Sequence, residues 1–155
     1  MDALQSGIDF VVHGKPPSTN LSGRGARVKR QRIQEWRNSV TAHARRTTTA
    51  ANHPHPGAVR VRIDYFSSVM SQGDRPDIDG ILKPILDAME GIVYGNDRQV
   101  VDLCARKRDT TVEAQFERLP RVVKQRIEQG PGTLEELDDF VYVQVSPHTG
   151  QMDYS

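Results

Sequence analysis

The apolar residues of this chain change period twice in under fifty positions, and few folds accommodate that. Val59, Val61, Ile63 and Tyr65 alternate with Arg60, Arg62 and Asp64, the pattern of a half-buried strand over Val59 to Phe66. From Gly80 to Val93 the spacing becomes helical, with Ile81, Leu82, Ile85, Met89 and Ile92 in one stripe. Pro84 sits near the start of that helix, where a lost N–H costs less than it would further in. Gln99 to Arg108 reads as a strand again.

The flanks extend the pattern. Ile8 to His13 is a short apolar strand, stopped by Gly14-Lys15-Pro16-Pro17-Ser18. Leu21 to Arg30 reads as a mobile basic loop, and Gln31 to about Thr49 as a helix with Ile33, Trp36, Val40 and Ala44 on one face. Asn52 to Gly57 breaks it. Pro120 to Gln129 is a third helix, with Pro120 at its first position and Gly130 just past its end. Thr133 and Glu136 have capping-box spacing. Phe140 to Ser146 alternates as a last strand, and the tail after Pro147 is expected to fray. The order describes a single α+β or α/β domain spanning residues 1–155, large enough for a core. Strand order is left open.

Charge is unevenly spread. Residues 1 to 65 carry 11 Lys/Arg against 4 Asp/Glu, and residues 66 to 155 carry 10 against 16, within a net charge of +1. A basic half joined to an acidic half suits a protein that binds a polyanion with one part and a cation with the other. Cys104 is the sole cysteine. It allows no intrachain disulfide and no zinc–thiolate cluster, which predicts a cytoplasmic protein. No signal peptide or membrane-length apolar run is evident.

The chemistry is concentrated in Asp74-Arg75-Pro76-Asp77-Ile78-Asp79-Gly80-Ile81-Leu82-Lys83-Pro84 and in Tyr94-Gly95-Asn96-Asp97-Arg98-Gln99. Pro76 biases Arg75 to extended backbone. If the extended segment continues to Asp79 as helix N-cap, Asp77 and Asp79 lie on one side, roughly 7 Å apart, and Lys83 lies one turn in. Such acids hold a hard cation through oxygen, and a lysine beside them meets phosphate. Asp97 must arrive from the far end of the helix. The alternative is structural: Asp77 or Asp79 as a helix cap, Asn96-Asp97 as a turn, and Lys83 solvated.

Pro76 to Gly91, followed by Asn96-Asp97-Arg98-Gln99-Val100, resembles the signature of the RusA family of Holliday junction resolvases, and Val12 to Ser18 resembles its opening strand and proline loop. The resemblance covers most of residues 8 to 110 and a closing strand near 140 to 146. It implies an α+β fold with a mixed sheet (βαβαβ and a helical insertion, here about 113–139, before the last strand). It implies a homodimeric, Mg²⁺-dependent endonuclease, with Mn²⁺ as a substitute, that nicks four-way DNA junctions symmetrically in association with the nucleoid. It also implies Asp77, Asp79 and Asp97 as catalytic metal ligands and Lys83 as catalytic lysine. Gly80 stands where the family often has Asn, and Asn96 where it often has a second acid. Rival readings are a branched-DNA-binding protein with an impaired site and a related nuclease acting on flaps, forks or RNA.

Lys15, Arg24, Arg27, Lys29, Arg30, Arg32 and Arg37 are the candidate phosphate contacts, in a dense basic loop before a helix. Arg106-Lys107-Arg108 either extends that surface or flanks a strand end. Trp36 reads as core, and His53 and His55 as a proline-rich turn rather than a metal clip. Asp87 can hold Lys83 at helical spacing or be solvated. Asp102 is either an outer carboxylate or part of an exposed strand face. The 113–139 stretch is a lid, a dimer element, a partner site or surface decoration.

Overall fold

The computed structural model describes residues 7–19, 21, 23–67, 77–110, 119–128 and 139–148. Its elements are β1 (Ile8–His13), α1 (Ala26–Thr47), β2 (Val59–Ser67), α2 (Ile78–Met89), β3 (Val100–Asp109), α3 (Arg121–Glu128) and β4 (Phe140–Pro147). The strands form one mixed sheet in the order β1-β4-β2-β3. β4 pairs antiparallel with both β1 and β2, and β2 pairs parallel with β3. This is the expected α+β architecture. Among the described residues β3 is an outer strand.

Each face of the sheet follows from alternation. Val59, Val61, Ile63 and Tyr65 of β2, with Val141, Val143 and Val145 of β4, build the main core with α1 and α2. Trp36, Val40 and Ala44 of α1 and Ile81, Ile85, Ala88 and Met89 of α2 close it. The Thr41 hydroxyl donates to the Ala88 carbonyl at 3.0 Å and ties the two helices together. Trp36 is core, as expected.

The opposite face is covered by α3. Leu119 and Val123 pack with Phe66, Phe140 and Tyr142 in a second apolar cluster. The described part of the 113–139 stretch is therefore a layer of the fold and not a surface decoration. Residues 113–118 and 129–138, with Gly130 and the Thr133/Glu136 spacing, lie outside the described residues, as does the tail from residue 149.

Two helix boundaries differ from expectation. α1 begins at Ala26, so Arg27, Lys29 and Arg30 are helical rather than in a loop. Gly25 caps it in the left-handed region at φ 81, a conformation glycine adopts without strain. α2 begins at Ile78, with Asp77 as its N-cap. Pro84 thus lies in the second turn, and the Gly80 carbonyl loses its usual N–H partner.

Asp64 is fully buried in the centre of β2. Its Oδ2 accepts from Arg62 Nε at 2.9 Å and lies 3.5 Å from Arg108 Nη1, while Oδ1 has no hydrogen-bond partner. A carboxylate so placed is tolerated because two cations face it. Substituting Asp64→Ala would leave both arginines facing an apolar layer and is expected to cost on the order of 3 kcal/mol of folding stability, read from urea denaturation. A loss below ~1 kcal/mol would show that the arginines find other partners.

Candidate active site

Because β2 and β3 are parallel, the chain must cross from one end of the sheet to the other between them. α2 makes that crossing. Its N-terminus lies at the end of the sheet where β2 finishes, and its C-terminus at the end where β3 starts. Asp77 and Asp79 fall at the first end, and Asp97, which immediately precedes β3, falls at the second.

Asp77 is extended at φ −68, ψ 154 and makes no side-chain capping bond. Asp79 is the second helical residue and not the N-cap, and its Oδ1 accepts from the Gly80 N–H at 3.0 Å. Both carboxylates are exposed. The expected run of extended backbone stops at Asp77; the part of that expectation resting on Asp74, Arg75 and Pro76 lies outside the described residues. Lys83 follows Asp79 by four residues and so shares its helix face. Its Nζ lies 3.3 Å from Asp87 Oδ2, with the lysine side chain 80 % exposed. The acids also suit the positive end of the helix dipole.

Gly80 has a local reason. A Cβ at this position would come within 3.1 Å of the Thr19 Oγ1. The absent side chain lets the loop after β1, which carries Lys15, lie against the acidic end of α2.

At the far end, Asp97 opens a single 3-10 turn, Asp97–Gln99. Asn96 caps it: its Oδ1 accepts from the Arg98 N–H at 2.8 Å, and Gln99 Oε1 accepts in return from the Asn96 N–H at 2.9 Å. Gln99 Nε2 also donates to the His55 and Gly57 carbonyls, 2.7 Å each, which fixes the turn to the start of β2. Tyr94 donates to the Leu86 carbonyl at 2.6 Å and locks the same segment to the last turn of α2. Burial pushes the Tyr94 hydroxyl far above its ordinary value, and Glu90, Asp87 and Asp97 push it the same way. Asp97 thus lies near enough to the Tyr94 hydroxyl to act on it, at the end of the sheet where α2 finishes. That helix is about 18 Å long at 1.5 Å per residue. Among the described residues no three His, Cys, Asp or Glu side chains form a metal-sized group.

The basic candidates gather elsewhere. Lys15 is exposed in the loop after β1, and Arg24, Arg27, Arg30 and Arg32 are exposed at the beginning of α1; Lys29 and Arg37 are half-buried. The first turn of α1 has no acid, and its N-cap has no side-chain bond. Cations beside the positive end of a helix dipole repel it, so an anion there relieves a cost already present.

The remaining candidates have structural partners. His53 accepts from the Thr49 N–H at 3.2 Å and His55 from the Gly57 N–H at 3.1 Å, consistent with a turn. Asp102 pairs with Arg60 Nε at 2.8 Å across β2 and β3. Arg108 faces Asp64 and the Phe66 ring.

A mixed α+β sheet whose crossover helix starts with two exposed aspartates and a lysine has the parts of a phosphodiester-cleaving protein. The family model of Endodeoxyribonuclease RusA matches residues 11–122. The chain belongs to that family, and membership implies an endonuclease of Holliday junctions and a binder of branched DNA. No curated protein matches it. No helix among the described residues is long and apolar enough to cross a membrane.

Lys83 contributes little to folding. Lys83→Met is expected to change stability by less than about 1 kcal/mol, because the lysine end of its pair with half-buried Asp87 stands in solvent. A thermal or urea melt tests this, and a larger loss would mean that the lysine holds α2 together.

Proposed function

We propose that this protein resolves four-way DNA junctions by metal-dependent phosphodiester hydrolysis, acting as a homodimer that nicks two opposed strands symmetrically. The observation that carries the reading is the acidic N-terminus of α2 in a chain of this family: two exposed aspartates, neither capping the helix from its side chain in the usual way, with a lysine one turn behind.

The donor set fits the cation. Asp77, Asp79 and Asp97 offer only carboxylate oxygens, which suit Mg²⁺, or Mn²⁺ in its place, over softer metals. Bound there, the cation supplies charge neutralisation at the phosphate and a more acidic water. Asn96 spends its side-chain oxygen on Arg98, which leaves Asp97 as the acid of that turn.

The other residues position and balance charge. The Lys83 side chain stands in solvent, so swinging it away from Asp87 costs little, and the ammonium is available to a phosphate. As water attacks phosphorus in line, Lys83 offsets the charge growing on the phosphate or the leaving oxygen. Arg24, Arg27, Arg30 and Arg32, with Lys15, Lys29 and Arg37, hold flanking phosphates. Backbone contacts of this kind position DNA without reading bases, as a substrate chosen by its branching requires.

The crossover supports a two-fold assembly. One chain carries Asp77, Asp79 and Lys83 at one end of α2 and Asp97 at the other. A second copy supplies the missing acid, so that each site takes Asp77, Asp79 and Lys83 from one protomer and Asp97 from its partner. Two such sites related by a two-fold axis account for paired nicks.

Cleavage of a labelled four-way junction beside a linear duplex tests the activity. Paired nicks are expected in the junction with Mg²⁺, and none with EDTA or with Asp79→Asn. Tight junction binding without cuts under Mg²⁺ or Mn²⁺ would sink the reading. Subunit mixing tests the shared site. Asp79→Asn and Asp97→Asn should each be inactive alone, whereas a mixture regains nicking, because one site of the heterodimer then has all three acids. Continued inactivity of a mixture shown to contain heterodimers would place the whole site in one chain.

A further inference from the structure

We propose that β3 is the dimer interface: two copies pair their β3 strands antiparallel, centred on Cys104, and join their sheets into one. This rests on the shared-site reading and names the surface that would build it.

β3 spans ten residues and has β2 as its one strand partner among the described residues. Its outer edge is a template for another strand. Val101 and Leu103 are 56 % and 41 % exposed, although both are large and apolar. Edge strands are often protected by scattered charge, but here three cations stand together and the two acids, Asp102 and Asp109, flank them. Asp102 lies in the first half of the strand, and Arg106, Lys107 and Arg108 lie in the second. Parallel self-pairing would set the three cations against their own copies. Antiparallel self-pairing sets Asp102 of each strand against the cations of the other, twice by symmetry.

The pleat narrows the register. Residues directly opposite one another in an antiparallel pair project to the same face, so a symmetric pairing matches even positions with even and odd with odd. Centring on Cys104 aligns Val100 to Arg108 with the same segment of the second copy. Asp102 then faces Arg106 of the partner subunit, and Leu103 faces Ala105 of the partner subunit. Val101 faces the stem of the partner subunit's Lys107. Asp102 already binds Arg60 through Oδ2, and so would sit between two cations.

The topology favours the same arrangement. Asp97 lies three residues before β3, and α2 begins at the opposite end of the sheet. In the antiparallel pair the start of one β3 meets the finish of the other. Asp97 then lies just past Asp109 of the partner subunit, at the end of the sheet from which the partner's chain enters α2. A parallel pair would bring like ends together and leave the acids apart.

The chain supplies its own probe, since Cys104 is the one cysteine among its 155 residues. Opposed residues of an antiparallel pair have Cα atoms about 4.5–5.5 Å apart, within disulfide reach. Mild oxidation, or a short bismaleimide, is expected to give a covalent dimer with the wild type and none with Cys104→Ser. In sedimentation equilibrium Asp102→Arg is expected to shift dimer to monomer, and adding Arg106→Asp to restore it. A wild-type monomer, or a dimer that neither cross-links at Cys104 nor responds to Asp102→Arg, overturns the proposal. The two readings fail separately. Regained nicking in mixed subunits without a Cys104 cross-link keeps the shared site and removes β3. A Cys104 cross-link with inactive mixtures keeps β3 and removes the shared site.

Discussion

The parallel pairing of β2 with β3 is the contact on which the rest of the molecule depends. A parallel pair cannot be closed by a tight turn, so the chain must travel the length of the sheet between its strands. α2 is that return path, and its apolar stripe of Ile81, Ile85, Ala88 and Met89 is what holds it on the sheet. Every chemically informative residue of the central motif is positioned by this passage. The acids at its start are exposed because a crossover helix begins beyond the sheet's edge, where among the described residues only the loop after β1 approaches it. Asp97 is equally exposed at the other end.

The two helix N-termini on the main face are opposites in charge. α2 starts with Asp77 and Asp79, which agree with its dipole. α1 starts with Arg27, Lys29 and Arg30 behind a glycine cap, which oppose its dipole. A helix assembled for stability alone would have an acid in that first turn. On the proposed function, the phosphate backbone is the anion that resolves this conflict. Acidic and basic ends thus occur on neighbouring helices, in keeping with the uneven charge of the two halves of the chain.

Much of this was legible in the order of residues. Alternation located β2 and β4, and a short apolar run located β1, almost to the residue, while the helical stripe located α2, because period-2 and period-3.6 burial leave different traces. The start of α1 was not legible: Gly23, Gly25 and a dense run of cations resemble a loop, and the helix is held further along by Trp36, Val40 and Ala44. The N-cap of α2 was misplaced from Asp77 to Asp79 because Gly80 reads as a boundary. Its absent side chain instead answers to Thr19, a contact between residues sixty positions apart. Strand order was out of reach for a similar reason, since pairing between β2 and β4 is decided by packing across most of the chain.

The separation of the acids could not be read from spacing either, although it follows from topology alone. Asp77 and Asp97 are twenty positions apart, a distance that a hairpin would bring to contact. A crossover of the same length does the reverse, because one helix consumes most of the intervening chain and carries its ends to opposite sides of the sheet. Sequence motifs of this kind specify which groups act together without saying whether one chain brings them together. Where the fold keeps them apart while the family's chemistry requires them, a two-fold axis resolves the conflict most economically. On the proposed function, it delivers the second half of each site and a second site in the same step, as paired nicks in two opposed strands require.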